Sequence, residues 1–450
     1  MSAKLHRLDI RGLAAALRDG VTVRQVTEAM LARAERLGPA LNLFTEIWPE
    51  AARTRADALD RAGPGPSPLW GVPMAHKDLF ARPARQPSCG VSASTGTKDL
   101  PPAPVLARLE EAGTVELGAA NLAEFALGTT GTNEFMGDVG NPWNPAYCTG
   151  ASSSGSGALV AAGVAHASLG TDSGASCRLP ASFCGAVGLK PTHGAIPTDG
   201  VFPLAWSLDT VGLLTRTAQD CALVFEAMGG PMQGATTRPV IGVPRSYYGD
   251  HAVPEVVQAW ERAARVMEAA GYRVIDVDVV ETQEIRTLTR LIMRSEAASV
   301  HRLALRARPE NYPLAVRRFI SGGEGVFATD YVDAQRLRGV LRSAAVTRNF
   351  SHADVLLTPT CPVLPPRYAA IADAADAQAW RTVALLAQYT QPASYFGFPA
   401  LSVPFGISTN GLPIGMQLIG RPNKEAQIFA SALALQAEWE KLDLWPGFAA

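Results

Sequence analysis

Two serine clusters, joined by a run of small apolar residues, are the part of this 450-residue chain whose side chains could do chemistry. The first reads Gly150-Ala-Ser-Ser-Ser-Gly-Ser-Gly157 and the second Gly170-Thr-Asp-Ser-Gly-Ala-Ser-Cys-Arg178, which places Ser152 and Ser176 24 positions apart. Glycine admits backbone conformations closed to other residues and lets a second group come close to the chain. Successive amides in such a loop can converge on one point and form a concave anion site. A hydroxyl beside converging amides has what acyl transfer requires, a nucleophile and donors aimed at the oxygen that becomes negative. Ser/Gly-rich loops are ordinarily plain turns, so the reading depends on a base elsewhere.

The seven histidines are His6, His76, His166, His193, His251, His301 and His352. A Ser-His-Asp enzyme on an α/β scaffold sets its serine in a Gly-x-Ser-x-Gly elbow. Two places after Ser176 stands Arg178, and two places after Ser152 stands Ser154, so neither serine fits. Lysine is the better candidate. The chain has six, Lys4, Lys77, Lys98, Lys190, Lys424 and Lys441, and carries most of its positive charge on arginine. Arginine is not deprotonated in a protein, whereas a buried lysine shifts readily. Lys77, in Leu69-Trp-Gly-Val-Pro-Met-Ala-His-Lys-Asp-Leu-Phe80, has the most hydrophobic setting of the six. Bringing a lysine from about 10.4 to about 7–8 takes roughly 4 kcal/mol of differential interaction, which burial can supply. If Val72 to Lys77 is a strand, Lys77 and Asp78 point to opposite faces, and the neighbouring carboxylate need not hold the ammonium charged.

The run from Gly150 to Ala181 resembles the signature of the amidase signature enzymes almost position by position. Gly71-Val-Pro-Met-Ala-His-Lys-Asp78 resembles that family's lysine strand. Phe183-Cys-Gly-Ala-Val-Gly-Leu-Lys-Pro-Thr192, Ser207-Leu-Asp-Thr-Val-Gly212, Asp354-Val-Leu-Leu-Thr-Pro-Thr360 and Phe398-Pro-Ala-Leu-Ser-Val-Pro404 are similar to further family segments. The likeness runs from about residue 10 to about residue 435, far more than a lone glycine motif. It implies a Ser-Ser-Lys triad: Ser176 as nucleophile, Ser152 as bridging serine after a cis peptide bond from Ala151, and Lys77 as the ultimate base. It further implies an oxyanion hole made by the backbone amides of Ser173, Gly174, Ala175 and Ser176, with Asp172 and Arg178 bracing the loop. Substrate-pocket candidates are Thr129, Thr130 and Gly131 in Gly128-Thr-Thr-Gly-Thr-Asn133, then Trp206, Arg338 (on one helical face with Tyr331 and Gln335) and Ser394 in Gln391-Pro-Ala-Ser-Tyr-Phe-Gly397. That last segment departs from the family's more usual Phe-Asn after the proline. Ala151, Ser154 and Ala175 replace family glycines, and Cys177 replaces an aliphatic residue. Ala175 bears most directly on the oxyanion loop, because alanine disfavours positive φ.

Composition narrows the function classes. A net charge of −1 and a pI near 6.7 favour neither nucleic acid nor an anionic membrane as partner. Cys89, Cys148, Cys177, Cys184, Cys221 and Cys361 form no Cys-x-x-Cys pair and no zinc spacing, so no metal is expected and a reducing cytoplasm is. No histidine is placed by motif to activate Cys177. No lysine follows a glycine, which excludes a P-loop, and Gly155-Ser-Gly157 lacks the third glycine of a dinucleotide fingerprint. No cofactor is expected. The first ten residues mix charge with apolar side chains and lack the core of a signal peptide, and no membrane span is expected.

The elements that must position these residues read as an alternation of helices and strands. Helices are expected at 8–20, 22–37, 47–62, 104–112, 155–165, 254–271, 283–307 and 327–348. Strands are expected at 71–78, 114–118, 166–171, 240–244 and 272–278, with a loop running through Gly96 and loop plus helix at 365–380. Such alternation predicts one large α/β domain, with a mixed, largely parallel sheet covered by helices on both faces. Within 1–450 the expected parts are N-terminal helices (1–65), a catalytic core (66–235) holding the signature at 150–181, a variable helical substrate region (236–350) and a C-terminal part of the core (351–450).

The expected activity is hydrolysis of a small linear carboxamide to acid and ammonia, at a C–N bond other than a peptide bond, through a Ser176 acyl-enzyme. The expected partner is a small-molecule amide, and a homodimer or a small accessory subunit stays open. The alternative is the glutaminase (A) subunit of a tRNA-dependent amidotransferase, which His76-Lys77-Asp78 and Asn141-Pro-Trp143 resemble. A non-catalytic scaffold is a third reading, against which the joint retention of Lys77, Ser152 and Ser176 speaks.

Overall fold

Apolar runs bounded by glycine and proline become strands, and the amphipathic stretches between them become helices, in a computed structural model of the chain. It describes residues 2–91, 100–232, 238–373, 376–442 and 445–449; the loop expected through Gly96 lies outside them. The strands are β1 (Phe44–Ile47), β2 (Pro73–Lys77), β3 (Val115–Ala120), β4 (Ala167–Thr171), β5 (Val187–Lys190), β6 (Val211–Thr215), β7 (Ile241–Val243), β8 (Val274–Asp276), β9 (Val355–Pro359), β10 (Ala400–Ile407) and β11 (Pro413–Gly420). They form a single sheet in the order β1-β3-β2-β4-β6-β5-β10-β11-β9-β7-β8, flanked by helices. The chain is one α/β domain.

The sheet is mixed, as expected, but it is not largely parallel. Among the described residues β2–β3, β2–β4, β7–β8 and β7–β9 pair parallel. The other six neighbouring pairs are antiparallel. The parallel pairs lie where helical crossovers are legible in the sequence. The antiparallel centre is built around the hairpin β10–β11, closed where Ser408 N donates to Leu412 O and Gly411 turns at φ 74°. Strand β5 pairs with β10 and, on its other side, with β6. Among the described residues no helix lies between β5 and β6 or between β10 and β11, so an alternation argument misses these antiparallel pairs.

Helix positions follow the sequence more closely. Val23–Leu41 opens with a capping box between Thr22 and Gln25. Gln283–Ala307 and Ala328–Arg348 match the expected 283–307 and 327–348 almost to the residue.

Topology places the chemistry. Because β2 and β4 are parallel neighbours, Lys77 and Thr171, the last residues of the two strands, emerge at the same sheet edge. The loop before the helix Ser154–Ala161 brings Ser152 to that edge. Every residue of this helix is buried. A Cβ on Gly155 would lie 2.3 Å from Asn121 O, and one on Gly157 would lie 2.8 Å from Pro180 Cβ. Glycine in a helix costs roughly 1 kcal/mol relative to alanine, and here only glycine lets the helix lie this close to Asn121 and Pro180.

Candidate active site

Lys77 is wholly buried. Its Nζ donates to Ser152 Oγ at 2.8 Å and to Thr171 Oγ1 at 2.9 Å. Burial pulls its pKa from 10.5 down to about 8, against weaker opposing pulls that include Asp172 and Asp209. Asp78 faces away from it: its carboxylate receives Arg85 at 2.7 Å and the hydroxyls of Thr45 and Ser88. The strand alternation expected from the sequence thus separates the ammonium from its neighbouring carboxylate. Thr171 is a partner that the sequence reading missed. It lies inside the glycine-rich run, but a threonine among serines carries no sign of its own until the strand register is known. Thr171→Val is expected to lower kcat about 10-fold, the scale of one lost hydrogen bond to an ionisable group, with KM little changed. It should also move the pH–rate rise lower, because a lone pair that steadies the ammonium is gone; Thr171→Ser should restore both, and steady-state kinetics across pH would check it.

Ser152 and Ser176 meet, but through the backbone. The Ser152 N–H donates to Ser176 Oγ at 3.3 Å, while Ser152 Oγ faces Lys77. The cis bond implied by the family resemblance is absent: the described residues contain no cis peptide, so Ala151–Ser152 is trans. The turn is made by dihedrals instead, with Gly150 at φ 84° and Ala151 at φ 44°. Ala151 N donates to Thr129 O at 2.9 Å and Gly150 N to Thr130 O at 3.3 Å, so Thr129 and Thr130 hold this turn. In this linkage the Ser152 amide points at Ser176. Ser176 Oγ therefore sits against the Ser152 backbone.

The loop 172–176 is held from beneath. Asp172 and Arg178 are both fully buried and joined by two contacts of 2.9 Å. Arg178 also donates to Thr390 O, Gln417 Oε1, Ser394 Oγ and Gly174 O. Asp172 Oδ2 receives Cys177 N at 3.1 Å. Ser173 Oγ donates to Asp209 Oδ1, whose other oxygen receives Leu204 N and Ala205 N. Asp209 is thus a second anchor that the sequence reading left unassigned. With the loop pinned at both ends, the N–H groups of Ser173, Gly174, Ala175 and Ser176 donate to no protein acceptor among the described residues. Ser176 alone of the stretch 171–180 is partly exposed. Ala175 keeps a negative φ, so the strain anticipated there falls on Ala151 instead. Asp172→Asn should cost about 3–5 kcal/mol by leaving Arg178 buried without its counter-charge; denaturant unfolding would read that loss.

The family model described as Amidase matches residues 25–429. The chain belongs to the amidase family. It is 34% identical to the glutamyl-tRNA(Gln) amidotransferase (A) subunit of Geobacter metallireducens, over 92% of this chain and 93% of that one. It is 35% identical to the protein of the same name from Chromohalobacter salexigens, over 96% of each. Among solved structures, a crystal structure described as an amidase is 32% identical with a TM-score of 0.86, covering 96% of this chain and 99% of that one.

For this member of the amidase family the pocket candidates divide. Trp206 is half exposed and, with Thr171, Asp209 and Phe202, lines a cavity of about 70 Å³ beside Lys77's hydroxyl partner. Gly131 is buried at φ 84°, where a Cβ would lie 2.5 Å from Thr149 Oγ1; it shapes the turn. Ser394 is 1% exposed and spends its hydroxyl on Arg178 and Asp172, so it belongs to the brace and not to a pocket wall. Arg338 is likewise engaged: Nε donates to Tyr395 O and Nη1 to Ser207 O at 2.7 Å. Tyr331 and Gln335 do share its helical face, but they bind Glu296. Cys177 is fully buried, burial pushes its thiol well up, and its sulfur packs against Gly170 and Gly212 beneath the loop. A protonated thiol so placed is a filler, not a nucleophile. Among the described residues no cluster of His, Cys, Asp and Glu could hold a metal, and no helix is long and apolar enough to cross a membrane.

Proposed function

We propose that the chain hydrolyses a carboxamide to a carboxylic acid and ammonia through an acyl-enzyme on Ser176. One observation carries this: a partly exposed hydroxyl stands beside four amides that have no protein acceptor among the described residues. Ser176 turns about its side chain to meet Ser152 Oγ, apo geometry being commonly looser than that of the working complex. Neutral Lys77 accepts the Ser152 proton as Ser152 accepts that of Ser176, and Ser176 Oγ bonds to the carbonyl carbon. The carbonyl oxygen becomes an anion among the amides of Ser173, Gly174, Ala175 and Ser176. Collapse breaks the C–N bond, and the proton returns along Ser152 to the departing nitrogen. Water, deprotonated by the same relay, then attacks the ester, and the acid leaves with Ser176 restored. The six cysteines are unpaired, which supports a reducing, cytoplasmic setting.

A second reading, the ammonia-releasing component of a tRNA-dependent amidotransferase, is supported by the names of the curated relatives at 34–35% identity. Ammonia release by the purified chain, across a panel of amides that includes glutamine, separates the two. Turnover of simple amides supports the first reading; release from glutamine alone, and only with partner chains, supports the second.

A further inference from the structure

Of the 21 residues in the helix Ala328–Arg348, only Ala334 and Ala345 are buried. Tyr331, Gln335 and Arg338 turn inward to Glu296, Tyr395 and Ser207. Another face carries Leu337, Val340, Leu341 and Ala344, the i, i+3, i+4, i+7 spacing of a helix that packs against a second helix. Here it faces outward: Leu337 is 46% and Val340 67% exposed, Ala344 is exposed and Leu341 is partly covered. Asp333 stands four residues before Leu337 and Arg348 four residues after Ala344. Together the six fall within a sector of about 100°. The apolar middle of this seam is thus bounded by an acid at its N-terminal end and a base at its C-terminal end. Neither is firmly held by its own chain. Asp333 meets Arg336 at 3.3 Å and Arg348 meets Asp278 at 3.9 Å, at exposed positions where an ion pair contributes little.

A seam of that polarity is complementary to itself when run antiparallel. In a two-fold pairing about the point midway between Val340 and Leu341, Leu337 lies opposite Ala344 of the second copy, large against small, and Val340 lies opposite Leu341. The same register sets Asp333 opposite Arg348 at both ends, whereas a parallel pairing would set Asp333 against Asp333. We infer that the exposed face of the helix Ala328–Arg348 docks a second copy of this chain, through the same helix run antiparallel. Paired over the about 22 Å from Asp333 to Arg348, two helices cover less than the roughly 1,200 Å² of a long-lived interface. The dimer should therefore exchange with monomer, with a Kd of about 1–100 μM.

The test is sedimentation velocity of the full chain at low ionic strength, from about 1 to about 300 μM, a range that brackets the expected Kd. The parent should pass from monomer to dimer across it. Asp333→Arg and Arg348→Asp, taken singly, each set like charges face to face at both ends of the seam and should weaken the dimer about 10-fold or more. The double variant, with the two charges exchanged, should return to within about threefold of the parent's Kd, because the pairs are remade with reversed sign. Val340→Glu, which puts a charge at the centre of the seam, should leave monomer alone. All four positions are exposed, so the unfolding midpoint of each variant, measured in dilute monomer, should stay near the parent's and show that the fold is intact. A parent that stays monomeric throughout, even one that captures an unrelated chain, would overturn the inference. So would a dimer that survives Val340→Glu, or a charge-exchanged variant that associates no better than the single ones.

Discussion

Ser176→Ala is expected to abolish turnover, with kcat falling by roughly 10⁴- to 10⁶-fold, the scale of losing a nucleophile whose partners act as a unit. Little of that loss should come from folding. Among the described residues the hydroxyl's one hydrogen bond is the 3.3 Å bond from Ser152 N, worth about 1 kcal/mol. The pairing of collapsed activity with an almost unmoved unfolding midpoint is therefore the signature to look for. Ammonia release and denaturant unfolding on the same preparation would provide it. Activity within 10-fold of the parent would remove Ser176 from the mechanism.

Lys77→Met should lower kcat by about 10²- to 10⁴-fold, the range for a positioned general base, and should change two pH dependences. The parent's rate should rise through about pH 8, where the buried amine loses its proton, and level off above. The variant should lack that rise. For stability the sign follows from linkage. The folded pKa lies near 8 and the ordinary one at 10.5. Between these values the unfolded chain holds a proton that the folded chain does not, so parent stability climbs with pH across that window. Below pH 8 the folded protein carries the full cost of a buried ammonium. The difference between the two curves of stability against pH should amount to on the order of 3 kcal/mol across the window. Lys190, also buried and lowered to about 7, is common to both proteins and cancels. Parallel curves would show that Lys77 is not the group titrating.

Residue type and spacing disclosed Lys77 and the two serine clusters because each stands out against its surroundings: one lysine in an apolar strand of an arginine-rich chain, and hydroxyls among glycines. The parallel units were legible for a similar reason, since a helix pattern between strands announces a crossover. What stayed hidden depends on contacts distant in sequence. Thr171 meets Lys77 only through the register of β2 and β4, and Asp209 meets Ser173 only once β6 lies beside β4. Arg338 and Ser394 looked available because a sequence does not reveal which carbonyl or guanidinium a side chain already holds. The trans bond at Ala151–Ser152 replaces a feature implied by family likeness, and the positive φ at Ala151 is the local means by which this chain makes the turn.

Fluorophosphonate trapping, with mass mapping of the adduct and its rate followed from pH 6 to pH 10, tests the proton relay most directly. The adduct should sit on Ser176, and the labelling rate should rise through about pH 8 in the parent and stay low and flat in Lys77→Met. An adduct on Cys177 or Ser152, or a rate that ignores the loss of Lys77, would contradict it.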